Sequence, residues 1–320
     1  MTTPASSQKA ATFEMEWIVA NSFNLTLVLM AATTVFMYIM SVIHRNYSWV
    51  DRFWSILPVI FAWIHVYYKS DGKFETITDW KQYDRAAIFY ASIVTVWGAR
   101  LTYNFYRRGG YTRGYEDYRW NFLRSFPGLQ NPVVWELYSF TNIALFQVAL
   151  LWAISLPMIN INWAPITAKD MVIGSCMLLF ILFETICDQQ QYNFQKAKQQ
   201  NSKKGRGSRE NKDDFLSYGF CFTGTFGYSR HLNVFCEGCV WITLAVAALL
   251  HGPAGWWVYA GCITLELLTY YSTAHVTEVI SGSKYPQYAI YKQTTPMLIP
   301  TLRSTTMLTL HKIKKEEKRN

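Results

Sequence analysis

Charged residues are scarce in this sequence. Asp, Glu, Lys and Arg make up 16% of its 320 residues, against about 25% in an average soluble domain. Cysteine is scarce as well, and its six scattered residues exclude a disulfide scaffold. Hydrophobic residues reach 51% and aromatic residues 17%, which excludes a disordered chain. The composition therefore indicates a protein with much of its surface in a membrane.

Several motifs of soluble nucleotide- and metal-binding proteins are missing. The sequence contains no GxGxxG, no GxxxxGKS/T and no HExxH pattern. Cys236 and Cys239 have CxxC spacing, but no second pair of ligands stands at a suitable spacing, so we predict no metal site. The net charge is +9, yet the basic residues are spread over several loops without a known nucleic-acid module. We therefore predict no nucleic-acid partner.

Seven long apolar runs follow one another along the chain. A transmembrane helix needs about 20 mostly apolar residues, and runs of this kind lie within residues 23–43, 53–68, 86–105, 137–168, 170–187, 234–250 and 254–274. They are too uniformly apolar to be amphipathic surface helices. We therefore predict an all-α fold, a polytopic membrane helical bundle of about seven transmembrane helices.

The loops between these runs predict the orientation of the chain. Alternate loops and the C-terminal tail on one side hold 23 Lys and Arg residues, and the opposite side holds six. The positive-inside rule places the C-terminus in the cytosol and the N-terminus outside or in a lumen. We predict a polar tail over 1–22, a membrane domain over 23–303 with a flexible loop at 196–213, and a basic cytosolic tail over 304–320, whose Lys and Arg residues after 311 lie against anionic headgroups.

Polar residues gather at the predicted cytosolic ends of the last three spans. Glu184 and Asp188 are four residues apart, hence on one face of a helix. Arg230, Asn233 and Glu237 form one stripe that enters the membrane. Charged and amide side chains are costly at that depth unless they face a wet or ligand-filled cavity.

Each of these groups also has an ordinary structural interpretation. The acidic pair could face lipid headgroups, and the stripe could be an internal salt bridge that closes the bundle. His231 is more often a hydrogen-bonded interfacial residue than a metal ligand. Glu266 lies well inside the seventh predicted span, where an acid is a functional-site hypothesis by default, but a helix–helix hydrogen bond would explain it as well.

Several motifs share their spacing with one family of membrane enzymes. They are Glu184-Thr185-x-x-Asp188-Gln189-Gln190, Ser229-Arg230-His231 with Asn233-x-x-x-Glu237 inside 219–241, Tyr285-Pro286-Gln287-Tyr288 with Pro296 and Ile299-Pro300, Trp49-x-Asp51-x-x-Trp54-Ser55, and Arg113-Gly114-x-Glu116-Asp117-Tyr118-Arg119. Over about residues 45–303 the chain resembles the steroid 5α-reductase-like membrane reductases, the DUF1295 group.

The resemblance implies a cofactor and a reaction. The family uses NADPH, bound from the cytosol, to reduce an activated C=C bond of a hydrophobic lipid such as a steroid, a sterol or an enoyl lipid. The positions that would contact the nucleotide are Glu184, Asp188, Asn233 and Glu237, with Arg100, Arg230 and His231 near its phosphates. The candidate acids that would polarise the carbonyl or protonate the α-carbon are Tyr115, Glu116 and Glu266. Eukaryotic relatives imply the endoplasmic reticulum membrane.

Departures from the family pattern leave other functions open. Leu232 replaces the family's Pro, the second span has no Glu, and Trp97 stands where the steroid enzymes polarise the 3-keto oxygen, so a steroid enone is in doubt. An isoprenylcysteine carboxyl methyltransferase-like enzyme using S-adenosylmethionine shares part of the pattern, although Glu237 favours the reductase. A non-enzymatic membrane protein that keeps the fold is the third alternative.

Overall fold

A computed structural model describes residues 17–70, 85–203 and 215–319, whose regular secondary structure is helical. The described residues form one isolated antiparallel β-bridge, between Arg85 and Pro165. The predicted all-α fold class is confirmed.

The helices follow the apolar runs of the sequence. In chain order they are α1 (Ser22–His44), α2 (Trp49–Phe53), α3 (Leu57–Lys69), α4 (Ala86–Arg107), α5 (Tyr118–Arg124), α6 (Pro132–Tyr138), α7 (Phe146–Ala153), α8 (Ala168–Lys203), α9 (Leu232–Leu250), α10 (Trp257–Ser272), α11 (Glu278–Lys284), α12 (Tyr288–Thr294) and α13 (Thr306–Glu317). A π-helical segment, Ser139–Leu145, joins α6 to α7.

Four helical stretches of the described chain are long and apolar enough to cross a membrane: Ser22–His44, Pro132–Ile159, Ala168–Asn201 and Leu232–Leu250. They indicate an integral membrane protein. The second predicted span corresponds to α3, whose 13 residues extend about 20 Å, less than the ~30 Å of a hydrocarbon core. The count of seven spans and the orientation of the termini stay predictions.

Two segments differ from the sequence-based expectation. Helix α8 continues to Lys203, so the first part of the loop predicted at 196–213 is helical, and residues 204–213 lie outside the described ranges. The basic tail predicted at 304–320 contains helix α13. Both segments are polar and contact distant parts of the chain: Lys198 of α8 donates to Gly219 and Tyr285, and Ile313 of α13 is part of a buried cluster with Phe220 and Tyr291.

The chain divides into two compact units where a single membrane domain was predicted. The first comprises the described residues up to Cys176 together with Trp241–Leu265, and the second comprises Met177–Val240 and residues from Glu266 onward. Helices α8, α9 and α10 each contribute residues to both units.

Small residues bring helices of the first unit into backbone contact. A Cβ atom on Gly261 of α10 would lie 2.3 Å from the carbonyl carbon of Ala153, at the end of α7. A Cβ on Gly98 of α4 would lie 2.7 Å from the carbonyl oxygen of Ser55. Such close approach of backbones is typical of helix packing in membranes. The hydrophobic effect does not drive association there, and small residues permit the close van der Waals packing that does.

The second unit has an aromatic core near the C-terminus. Phe220, Phe222, Tyr288 and Tyr291 are buried together with Ile313 of α13. The rings of Phe220 and Tyr291 are stacked with centroids 5.4 Å apart. This cluster attaches helices α12 and α13 to the segment that precedes α9.

Candidate functional site

The predicted site residues are divided between the two units. Those in the first unit are Arg100, Tyr115 and Glu116, and those in the second are Glu184, Asp188, Arg230, His231, Asn233, Glu237 and Glu266. The second unit thus contains all the predicted cofactor contacts except Arg100.

Arg230 and His231 converge on a carboxylate that the sequence analysis did not select. Arg230 donates from Nε and Nη2 to the two carboxylate oxygens of Glu278, at 3.0 and 2.9 Å. His231 Nε2 lies 2.7 Å from Glu278 Oε1, and the Tyr288 hydroxyl donates to the same oxygen at 2.6 Å. The ammonium of Lys292 lies 3.4 Å from Oε2. We call these five residues the Glu278 cluster.

The centre of the Glu278 cluster is buried, and Lys292 lies at its exposed edge. The side chains of Arg230 and Glu278 are 8% and 3% exposed, and Arg230 Nη1 donates to the carbonyls of Lys292 and Thr295. Burial alone would raise the pKa of Glu278, but hydrogen bonds from His231, Arg230 and Tyr288 together hold it well below its usual range. Glu278 is therefore a carboxylate, and the internal salt bridge considered for Arg230 is present.

The same turn is fixed through its backbone. The amide of Arg230 donates to the carbonyl of Pro296, and the amide of His231 to that of Met297, at 2.9 and 3.0 Å. The hydroxyl of Ser229 donates to the carbonyls of Met297 and Leu298. These bonds give the residues that lead into α9 one conformation, and they assign a structural role to the C-terminal motif that includes Pro296.

The acidic pair on α8 is inside the second unit. Glu184 and Asp188 are only 4% and 5% exposed, which excludes the alternative that they face lipid headgroups. Two residues after Asp188, the side-chain oxygen of Gln190 accepts hydrogen bonds from the amide and hydroxyl of Thr225, at 2.9 and 2.8 Å. The Glu-Thr motif of α8 is therefore attached to the loop that precedes α9.

Helix α9 carries Asn233 and Glu237 four residues apart, hence on one face. Glu266 of α10 reaches this helix beside Glu237: a Cβ atom on Gly238 would lie 2.3 Å from its Oε1. That oxygen is buried, and no hydrogen-bond partner for it occurs among the described residues. The helix–helix hydrogen bond considered for Glu266 is therefore not formed through this oxygen, and glycine at 238 is what admits the carboxyl group.

Tyr115 and Glu116 belong to a loop that is tied to the start of α2. The carbonyl of Tyr115 accepts hydrogen bonds from Asn46 Nδ2 and Arg52 Nη2, at 2.7 and 3.2 Å. Glu116 Oε1 accepts the backbone amide of Tyr47 at 2.8 Å. Burial, with the charges of the neighbouring carboxylates, raises the pKa of the Tyr115 phenol. These contacts stabilise the loop, and a catalytic role of either residue stays a prediction.

The two motifs of the first unit bind each other. Asp51 accepts a hydrogen bond from Trp120 Nε1 at 3.0 Å, and Arg119 lies 3.5 Å from the same carboxyl group. The amide of Asp117 donates to Ser48 Oγ at 2.8 Å. Residues 48–51 and 117–120 thus form a partly buried polar brace.

An apolar groove opens on the first unit between α1 and α3. It has a volume of about 440 Å³ and is lined by Leu25, Val59, Ile60, Trp63, Ile64, Tyr67 and Tyr68. Its lining is almost wholly apolar, so it can accommodate a hydrocarbon chain.

Glu278 was missed because its partners are distant in sequence. The position of Glu278, four residues beyond the seventh predicted span, was a visible signal of a functional or structural role, since acidic residues are few in this chain. The spacing did not reveal that Arg230 and His231, almost fifty residues earlier, would bind it. The contact of Gln190 was not visible either, since its bonds to Thr225 join α8 to the segment before α9.

The fold and these buried polar clusters define an all-helical integral membrane protein. Its residues 37–295 match the family described as "Protein of unknown function (DUF1295)", and the chain belongs to that family. An uncharacterized protein of Schizosaccharomyces pombe is 30% identical over 270 residues, which cover 82% of this chain and 75% of the relative. No solved structure gives a significant match. The predicted membership of the DUF1295 group is confirmed.

Proposed function

We propose that this protein is a membrane oxidoreductase that uses NADPH to reduce an activated C=C bond of a lipid. The observation that carries the proposal is the carboxyl group of Glu266, whose buried Oε1 lies against Gly238 without a hydrogen-bond partner among the described residues. A polar oxygen in that state costs free energy unless a ligand or water binds it. The resemblance of the sequence motifs to those of the steroid 5α-reductase-like membrane reductases supports the proposal.

The donor and acceptor chemistry of the second unit fits a nicotinamide nucleotide. Glu184 and Asp188 offer buried carboxylate oxygens, which accept hydrogen bonds from hydroxyl and amide donors such as those of ribose and nicotinamide. Asn233 and Glu237 add an amide and a third carboxylate on one face of α9. The proposed role of these four residues is to bind and orient the nucleotide.

When bound, NADPH supplies a hydride to the β-carbon of the activated double bond. In the proposed reaction Glu266, in its protonated form, gives its proton to the α-carbon, so that two C–H bonds replace the π bond. The carboxylate then regains a proton from solvent. Tyr115 and Glu116 remain alternative acids for polarising the carbonyl group of the lipid.

The Glu278 cluster has a positioning role in this proposal. It fixes Arg230 and His231, and through them the first residues of α9, which carry Asn233. Arg230 uses most of its N–H groups inside the protein. We therefore propose that it places Asn233 and contributes its positive potential to the site, while direct contact of Arg230, His231 or Arg100 with phosphate stays a prediction.

A ligand titration tests the proposal against the methyltransferase alternative. Purified protein in detergent is heated with NADPH or with S-adenosylmethionine, and the melting temperature is followed. A ligand that binds only the folded state raises this temperature by mass action. We expect a rise with NADPH. A rise with S-adenosylmethionine alone would replace the reductase by a methyltransferase, and no rise with either would favour the non-enzymatic alternative.

The proposed cofactor also constrains the cellular setting. NADPH is bound from the cytosol in the family that the sequence resembles, which agrees with the excess of basic residues on the same side of the chain. We propose the endoplasmic reticulum membrane as the location, and a hydrophobic lipid of that membrane as the substrate.

A further inference from the structure

The segment before α13 lies beside the residues that precede a membrane span. The amide of Thr301 donates to the carbonyl of Tyr228 at 3.0 Å, and the amide of Thr305 to that of Gly227 at 2.7 Å. Helix α9, which is long and apolar enough to cross a membrane, begins at Leu232. Because the end of a span lies at the membrane surface, the segment 296–305 lies at that level too.

Helix α13 is amphipathic in this position. Thr309 and Ile313 are fully buried against the second unit. Leu308, Lys312 and Lys315 recur at intervals of four and three residues along the flank beside this buried face, where all three are exposed. This flank of α13 is therefore basic with one apolar residue.

Large apolar side chains are exposed next to these cations. Ile299, Leu302 and Leu308 are 74%, 101% and 64% exposed, and Arg303 is exposed between them. Apolar side chains beside Lys and Arg are typical of elements that lie in the membrane interface, where the former enter the acyl boundary and the latter reach the headgroups. We call Ile299, Leu302, Arg303, Leu308, Lys312 and Lys315 the C-terminal surface.

We propose that the C-terminal surface binds the anionic phospholipid headgroups of the membrane that α9 crosses. Its three cations complement phosphate and carboxylate groups, and its three apolar side chains enter the boundary between headgroups and acyl chains. Headgroup binding would hold α13 and the segment 296–305 in place, and hence the turn at Arg230. The inference stands independently of the proposed reductase activity.

Hydrogen–deuterium exchange of the full chain in lipid nanodiscs tests this proposal. One set of discs contains phosphatidylcholine alone and the other contains added phosphatidylserine. Each Lys or Arg near an anionic surface contributes about fivefold to binding. We therefore expect amides of residues 298–315 to exchange at least fivefold more slowly in the anionic discs, and raised salt to remove the difference because it screens exposed charges.

A matched pair of triple variants locates the effect. Arg303→Gln/Lys312→Gln/Lys315→Gln should abolish the difference between the two discs, whereas Arg113→Gln/Lys169→Gln/Lys196→Gln, which removes the same charge from exposed positions elsewhere, should keep it. In neutral discs, the amides of residues 298–315 should exchange at the same rate in both variants as in the wild type, which shows that α13 is folded in each. If the first variant disturbs α13, the proposal is tested on the wild type alone, by whether raised salt removes the difference in exchange between the two discs. Equal exchange of the wild type in both discs, or exchange independent of salt, would overturn the proposal.

Discussion

At the scale of single residues, Glu278 explains more of the second unit than any residue selected from the sequence. Its carboxylate accepts hydrogen bonds from Arg230 and Tyr288 and lies within 2.7 Å of His231 Nε2. A buried carboxylate of this kind is stabilised only while its partners remain, and the partners depend equally on it. The turn before α9 therefore depends on one acidic residue.

Replacement of that acid should be costly. In Glu278→Gln the guanidinium of Arg230, 8% exposed, loses its counter-charge while it remains buried, and breaking a buried ion pair in this way costs about 3 kcal/mol or more. The free energy of unfolding in detergent, measured by chemical denaturation, should fall by this amount. The matched control is Glu316→Gln, an exposed residue in the last turn of α13, which should change it by less than about 0.5 kcal/mol. Equal effects of the two substitutions would show that the Glu278 cluster does not stabilise the fold.

The same cluster predicts a dependence of stability on pH. Hydrogen bonds from His231, Arg230 and Tyr288 outweigh burial and lower the pKa of Glu278 in the folded protein. The unfolded chain, with an ordinary glutamate pKa of about 4.3, then binds a proton first as the pH falls. The contribution of Glu278 is fully present above that pH and is lost progressively below it.

This dependence is measurable as a difference between two proteins. The gap in unfolding free energy between wild type and Glu278→Gln should be constant from neutral pH down to about pH 5 and should narrow below about pH 4.3. A gap that stayed unchanged at lower pH would mean that Glu278 is not held as a carboxylate by its neighbours.

The residues that could be found from sequence differ from those that could not in a physical way. Glu184 and Asp188 stand on one regular helix, and Asn233 stands with Glu237 on another. The spacing within each pair alone indicates a shared face. Glu278 and Gln190 act through partners brought close by tertiary structure. The spacing of the family motifs was visible, but the fact that residues 49–55 and 113–119 bind each other was not.

At the scale of elements, the length of the apolar runs predicted the apolar helices well. It gave no signal for helical segments of polar composition. Helices α1, α4 and α9 follow apolar runs whose length indicates a span. The polar end of α8 was assigned to a loop because it is rich in Lys and Gln. Lys198 there donates to the carbonyl of Gly219 and to the hydroxyl of Tyr285, at 2.7 and 2.8 Å, and these contacts extend the helix.

Close helix packing makes one glycine especially sensitive. In Gly261→Ala the new methyl group would lie 2.3 Å from the backbone of Ala153, which cannot move as a flexible side chain can. We expect a loss of about 1–3 kcal/mol in unfolding free energy from overpacking. The control Gly282→Ala is also helical and has its nearest atom at 3.9 Å, the flexible end of Lys292. It should be neutral or stabilising by up to about 1 kcal/mol, and a Gly261→Ala protein as stable as this control would contradict the packing.

At the scale of the whole molecule, the sequence predicted the class and the family. Four stretches of the described chain are long and apolar enough to cross a membrane, and the match to DUF1295 covers residues 37–295. The division into two compact units could not be foreseen, because α8, α9 and α10 are continuous in sequence and contribute to both. The seven-span topology, the cytosolic C-terminus and the location in the endoplasmic reticulum stay predictions.

The cofactor is the central claim at this scale, since every proposed role in the second unit depends on it. NADPH should bind wild-type protein, and Asn233→Ala and Glu237→Ala should each weaken its binding at least tenfold, equivalent to ~1.4 kcal/mol, without unfolding the protein. Cys239→Ala, on the same helix, should retain wild-type affinity and serves as the control.

The most direct measurement is therefore an equilibrium titration of NADPH into the purified wild type and these three variants. The account predicts binding to the wild type and Cys239→Ala and a large loss in the other two. Unchanged affinity in both Asn233→Ala and Glu237→Ala, or no binding to the wild type, would contradict it.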